Sequence, residues 1–192
     1  AVEWFRRAAG QGLPDAQVHL GVIYSEGRGA PQDDAEALEW FHKAAAQGDP
    51  RAQFNLGLMY ADCRAMPFAD MIQAVEYFRM AALNGHSGAR NELGRIYLYG
   101  PVMLRNRLRA ASWFRKAAEQ GNADAQNNLA MMYAKGMGVP LDKREAYSWF
   151  FTAARLGHAE ARRHAKDMRV HIPDAEEIER KADDTIRRNG WK

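Results

Sequence analysis

An aromatic pair returns along this chain at a nearly fixed interval, and that interval constrains the fold more than any other feature. The pair is Trp4-Phe5, Trp40-Phe41, Tyr77-Phe78, Trp113-Phe114 and Trp149-Phe150, at steps of 36, 37, 36 and 36 residues. An alanine pair follows each time: Ala8-Ala9, Ala44-Ala45, Ala81-Ala82, Ala117-Ala118 and Ala153-Ala154. A glycine then closes each unit, at Gly12, Gly48, Gly85, Gly121 and Gly157. A second block keeps the same beat. It reads Ala16, Leu20, Gly21, Tyr24; Ala52, Leu56, Gly57, Tyr60; Ala89, Leu93, Gly94, Tyr97; and Ala125, Leu129, Ala130, Tyr133. Such a period marks an array of small stacked units rather than one irregular domain.

Both blocks have helical spacing. Ala16, Leu20, Gly21 and Tyr24 fall on one face of a first helix, A. Ala37, Phe41, Ala44 and Ala45 form the stripe of a second helix, B. Asp49-Pro50 supplies an N-cap and a proline at the first helical position, and Asn122 holds the same cap slot. The A–B linkers 26–33 and 135–142 are rich in turn residues. Small residues at Gly21, Gly57, Gly94 and Ala130 let helix A approach its partner closely. One helix pair cannot bury such a face alone, so neighbours must stack. No segment has strand periodicity.

The pattern A-x-x-x-L-G-x-x-Y-x-x-G-x-G-x-P-x-D-x-x-x-A-x-x-W-F-x-x-A-A-x-x-G resembles the Sel-1-like repeat family, a relative of tetratricopeptide repeats, over residues 1–165. The resemblance implies an all-α fold, a right-handed α/α superhelix of helix-turn-helix repeats. It also implies a bacterial scaffold or adaptor that binds a partner protein. The expected units are helix B of an incomplete repeat over 1–12, repeats over 13–48, 49–85, 86–121 and 122–157, and an incomplete repeat with a capping helix over 158–192. In that final segment Pro173 interrupts the chain, Asp174 with Glu177 reads as a capping box, and Ala175, Ile178, Ala182 and Ile186 form an apolar stripe. The unpaired helix B at Trp4 and Phe5 suggests that the array continues before Ala1. The heavily charged faces around that stripe suggest a cap, so that the array ends near Lys192.

In tetratricopeptide geometry helix A lines the concave surface. The groove-facing residues are then Asp15, His19, Val22 and Glu26; Arg51, Asn55, Leu58 and Asp62; Asn91, Glu92, Arg95, Leu98 and Tyr99; Asn127, Asn128, Met131 and Lys135; and Arg163 and His164. Amides such as Asn55 and Asn128 can donate and accept together, which suits the backbone of an extended peptide. Two linkers lack the Gly-x-Gly signature. One carries Met66, Phe68 and Met71, the other Val102, Met103, Leu104 and Arg105. Apolar side chains in such loops either meet a partner or fold back over the repeats.

The remaining residues exclude more than they assign. The 27 basic and 24 acidic residues nearly balance, which gives no polyanion footprint, and most aromatics sit in core slots. Nucleic acid is therefore not an expected partner. No run reaches the roughly 18 apolar residues of a membrane span, and no secretory signal is visible. Cys63 is the single cysteine. His86 and His158 share the slot after the closing glycine and read as helix-start residues rather than metal ligands. No zinc-protease, phosphate-loop or paired-cysteine motif is present, so neither a catalytic site, a metal nor a cofactor is expected. The partner is expected to be a protein or extended peptide. An inhibitor of a secreted toxin (an immunity protein) and an inert spacer are the alternatives.

Overall fold

The computed structural model describes residues 2–62 and 70–191. Among them the chain is helical throughout, with no strand. The helices are α1 (Val2–Gly10), α2 (Pro14–Glu26), α3 (Asp34–Ala46), α4 (Pro50–Ala61), α5 (Met71–Leu83), α6 (Ser87–Tyr99), α7 (Arg107–Ala118), α8 (Ala123–Lys135), α9 (Lys143–Arg155), α10 (Ala159–Arg169) and α11 (Ala175–Asn189). One 3-10 turn, Val102–Leu104, lies between α6 and α7. The chain divides into two compact units, residues 1–89 and 90–192.

Helix starts follow the sequence closely. Side chains of Asp33, Asp49, Asp70, Asn106, Asn122 and Asp142 each accept hydrogen bonds from first-turn backbone N–H groups. Those donors have no partner within the helix, and each such cap contributes about 1 kcal/mol. The histidine slot does the same by different chemistry. His86 Nδ1 accepts from the N–H of Ala89, and His158 Nδ1 from that of Ala161, each at 3.1 Å.

Each full A–B linker ends on one shared hydrogen bond. The cap residue's backbone N–H donates to the carbonyl of the tyrosine in the last turn of helix A. The pairs are Asp33–Tyr24, Asp70–Tyr60, Asn106–Tyr97 and Asp142–Tyr133, at 2.7–3.0 Å. The bond is the same whether or not the linker carries Gly-x-Gly.

Inside a repeat, helices A and B meet glycine on phenylalanine. A Cβ placed on Gly21 would lie 2.6 Å from Phe41, on Gly57 2.6 Å from Phe78, and on Gly94 2.5 Å from Phe114. Those distances are shorter than any carbon contact, so only hydrogen fits, and the phenyl ring lies flat on the helix. Phe41, Phe78, Phe114 and Phe150 are completely buried, as are Leu20, Leu56, Leu93 and Leu129. At the start of the chain Trp4 is 74% exposed. Phe5 is half-buried and packs on the His19 ring, with centroids 5.1 Å apart.

One expected local motif does not form. Asp174 sits in the N-cap position of α11, but its side chain caps nothing. Its carboxylate instead pairs with Arg144 at the start of α9. A formal positive charge within reach competes better for a carboxylate than a backbone N–H does. The apolar stripe is as expected: Ala175 and Ala182 are buried, Ile178 and Ile186 half-buried, and α11 packs on α9.

Candidate functional site

The A helices carry the polar and apolar side chains that the repeat pattern singles out. In residues 1–89 those of α2 and α4 converge. Val22, Glu26, Asn55, Leu58 and Asp62 line one cavity of about 160 Å³, with Ser25 beside them and Phe41 and Met59 at its base. The base is apolar, Asn55 supplies an amide, and Glu26 and Asp62 give an acidic rim. Glu26 pairs with Arg28 at 3.0 Å. Asp62 has no ion pair among the described residues.

Two other expected residues of this unit are occupied within it. Arg51 bridges Asp49, at 2.6 Å, and Asp15 one repeat earlier. Hydrogen bonds to Asp49, then to Asp15, raise its guanidinium above the ordinary range. Burial would push the Asp49 carboxyl up, but bonds from the Arg51 side chain and from the N–H groups of Ala52 and Arg51 hold it below the ordinary range. Arg51 thus fastens α4 to α2. His19 is exposed and rests on Phe5.

In residues 90–192 the pattern is partly corrected. Asn91 and Asn127 are each only 6% exposed and do not face a groove. They occupy the slot that Val18 and Phe54 fill in the earlier repeats, one residue short of the slot held by His19, Asn55, Glu92 and Asn128. One residue on a helix turns a side chain by about 100°, enough to carry it into the interface with the next repeat. There Asn128 Nδ2 donates to Asn91 Oδ1 at 3.0 Å. Glu92 and Arg95 pair with each other at 3.0 Å. Met131 is half-buried, and Lys135 and Tyr99 are exposed.

Of the linker residues, Val102 and Met103 are 78% and 85% exposed, so they do not fold back over the helices. Leu104 is half-buried. Arg105 donates through Nε to the carbonyl of Gly100 at 2.8 Å. Met71 is the first residue of α5 and is half-buried. Met66 and Phe68 lie outside the described residues. Sequence reasoning missed a cleft among α9, α10 and α11. Its one readable signal was Lys166 in the slot of Gly21, Gly57 and Gly94.

No three His, Cys, Asp or Glu side chains converge as metal ligands would, among the described residues. Nor is any described helix long and apolar enough to cross a membrane.

The geometry agrees with what the chain resembles. The Sel1 repeat family model matches residues 1–13, 14–49, 50–86, 87–122 and 123–158. The fold is similar to that of a Sel1 repeat protein from Oxalobacter formigenes, at 39% identity and TM-score 0.78, over 88% of this chain and 48% of that one. It is also similar to a protective antigen present in uropathogenic Escherichia coli strains that displays an SLR fold, at 34% identity and TM-score 0.83, over 95% of this chain and 40% of the antigen. The chain therefore spans less than half the length of either. An immunity protein from Pseudomonas aeruginosa shares the fold at 24% identity and TM-score 0.60, over 98% of this chain and 72% of that one. No curated protein matches the sequence. The residues that match, the glycine–phenylalanine packing they produce and the likeness to these structures together make the chain a member of the Sel1 repeat family, an all-α solenoid of repeats about 36 residues long.

Proposed function

We propose that the chain is a protein-interaction scaffold and that the α2–α4 cavity holds an extended segment of its partner. The observation that carries this is the convergence of Val22, Asn55, Leu58, Glu26 and Asp62 on one cavity. The volume accommodates one apolar side chain on Val22 and Leu58. The Asn55 amide can both donate to and accept from the partner backbone. The acidic rim of Glu26 and Asp62 favours a basic residue next to that side chain. The membership of a repeat family commonly built as interaction scaffolds supports the same reading.

The test is affinity capture with the wild-type chain, identification of the captured protein by mass spectrometry, and titration of the purified pair. The variant Asn55→Ala/Asp62→Ala removes only surface polar groups, so its unfolding midpoint should change by no more than about 0.5 kcal/mol equivalent. Its affinity for the partner should fall roughly tenfold or more. Equal affinity of variant and wild type would overturn the groove assignment.

A further inference from the structure

The slot that holds glycine in α2, α4 and α6 holds Lys166 in α10. A contact built for a hydrogen atom cannot admit a four-carbon chain ending in an ammonium group, which must stay in water. α11 accordingly makes its packing contacts with α9. Its apolar stripe packs there, and polar ties flank the contact: Tyr147 to Glu179, Arg155 to Asp183 at 2.8 Å, and Arg144 to Asp174.

What stays open among the three helices is a cleft of about 560 Å³. That is within the usual size of a ligand pocket, roughly 300–1,000 Å³. Its apolar surface comes from Phe151 and Ala154 on α9 and from Ala165 on α10. Its charge is one-sided. Arg155, Arg162, Lys166 and Arg169 all line it, against the single carboxylate of Glu179. That carboxylate is already engaged by the Tyr147 hydroxyl and by Arg169 Nε at 2.8 Å.

Two of the cations are unpaired among the described residues. Arg162 and Lys166 have no ion pair among the described residues. They stand four residues apart, and so on one face of α10. Arg162 also replaces a fastener. Its slot holds Arg90 in α6 and Gln17, Gln53 and Gln126 in α2, α4 and α8, and each glutamine donates to a carbonyl of the preceding helix, at Ala9, Ala45 and Ala118. Arg162 makes no such bond.

We infer that this cleft is a second binding site, for an acidic peptide segment of a partner protein. One aromatic or aliphatic side chain of the segment lies on Phe151 and Ala154, and flanking carboxylates pair with Arg162 and Lys166. The charge complementarity selects an acidic partner, and the apolar floor selects a peptide with a hydrophobic residue among its acids.

The experiment is fluorescence anisotropy of the full chain with a labelled hexapeptide, Asp-Glu-Phe-Asp-Glu-Gly. The neutral counterpart Asn-Gln-Phe-Asn-Gln-Gly and free N-acetylphenylalanine serve as competitors. The acidic peptide should bind, more weakly as salt rises, and neither competitor should displace it at equal concentration. Arg162→Gln/Lys166→Gln should weaken binding roughly tenfold or more while circular dichroism and unfolding stay unchanged. Asn55→Ala/Asp62→Ala should bind the peptide as wild type does, which separates this site from the α2–α4 cavity. No binding, equal binding of the neutral peptide, or an unaffected Arg162/Lys166 double variant would each overturn the assignment. Displacement by N-acetylphenylalanine would also overturn it, in favour of a small-molecule pocket.

Discussion

The helix pairs α2–α3 and α10–α11 occupy equivalent places in their repeats, yet the second helix packs on its partner in one and on α9 in the other. In α2–α3 the bare backbone at Gly21 receives the flat ring of Phe41, and dispersion over a dry contact does the holding. In α10–α11 the glycine is Lys166, and α11 lays its apolar stripe on α9 instead, with ion pairs and a tyrosine hydroxyl beside it. Close packing within a pair leaves no room between its two helices, whereas docking on a third helix leaves a cleft. In the last repeat the Leu20, Gly21 and Tyr24 slots hold Ala165, Lys166 and Arg169, and packing surface becomes accessible surface.

The largest expected effect lies in the locked pairs. Phe114→Ala deletes a fully buried ring against Gly94 and should cost about 3–5 kcal/mol in chemical denaturation. A loss of only a few tenths would mean that the glycine–phenylalanine contact is not what closes a repeat. A smaller effect separates true caps from apparent ones. Asp142→Ala removes two hydrogen bonds at the start of α9 and should cost about 1 kcal/mol. Asp174→Ala at the start of α11 removes no cap, only an exposed ion pair, and should cost less than about 0.5 kcal/mol. Equal losses would show that Asp174 does cap its helix in solution.

The smallest effect is a pH dependence. His86 must be neutral at Nδ1 to cap α6. Burial lowers its pKa below 6.5, and Asp49 opposes this in part. With the folded value depressed, the unfolded chain takes up the proton first. The contribution of His86 is therefore whole above pH 6.5 and is lost as pH falls through the folded value. His42 shifts in the same direction through burial, so a reference variant is needed. His86→Asn keeps an acceptor at the cap but does not titrate there. Wild type should lose stability relative to it as pH drops from about 7.5 to about 5.5. A constant difference over that range would remove the histidine from the capping role.

Repetition explains what could be seen in the sequence. The buried leucines and phenylalanines announce themselves four times over and the alanine pairs five, and the caps at Asp49 and Asn122 follow from local chemistry alone. The histidine caps were visible because His86 and His158 share a slot. Register errors arose where a polar residue sits in an interior slot. Asn91 and Asn127 look like surface residues by type, but their neighbours in the period are Val18 and Phe54. Asp174 failed as a cap because Arg144, thirty residues away, reaches it, and no local pattern contains that fact. The α9–α11 cleft needs knowledge of which helix α11 chooses, and only the lysine in a glycine slot hinted at it.

The backbone bond between each tyrosine carbonyl and the following cap residue has an evolutionary consequence. It joins the two ends of every full A–B linker without using any side chain in between. The intervening residues are therefore a replaceable cassette, since lengthening a closed loop costs only about 0.6 kcal/mol per doubling. A chain of this kind can acquire new surface chemistry, such as Val102 in place of Gly29 and Gly138, without disturbing the helices on either side.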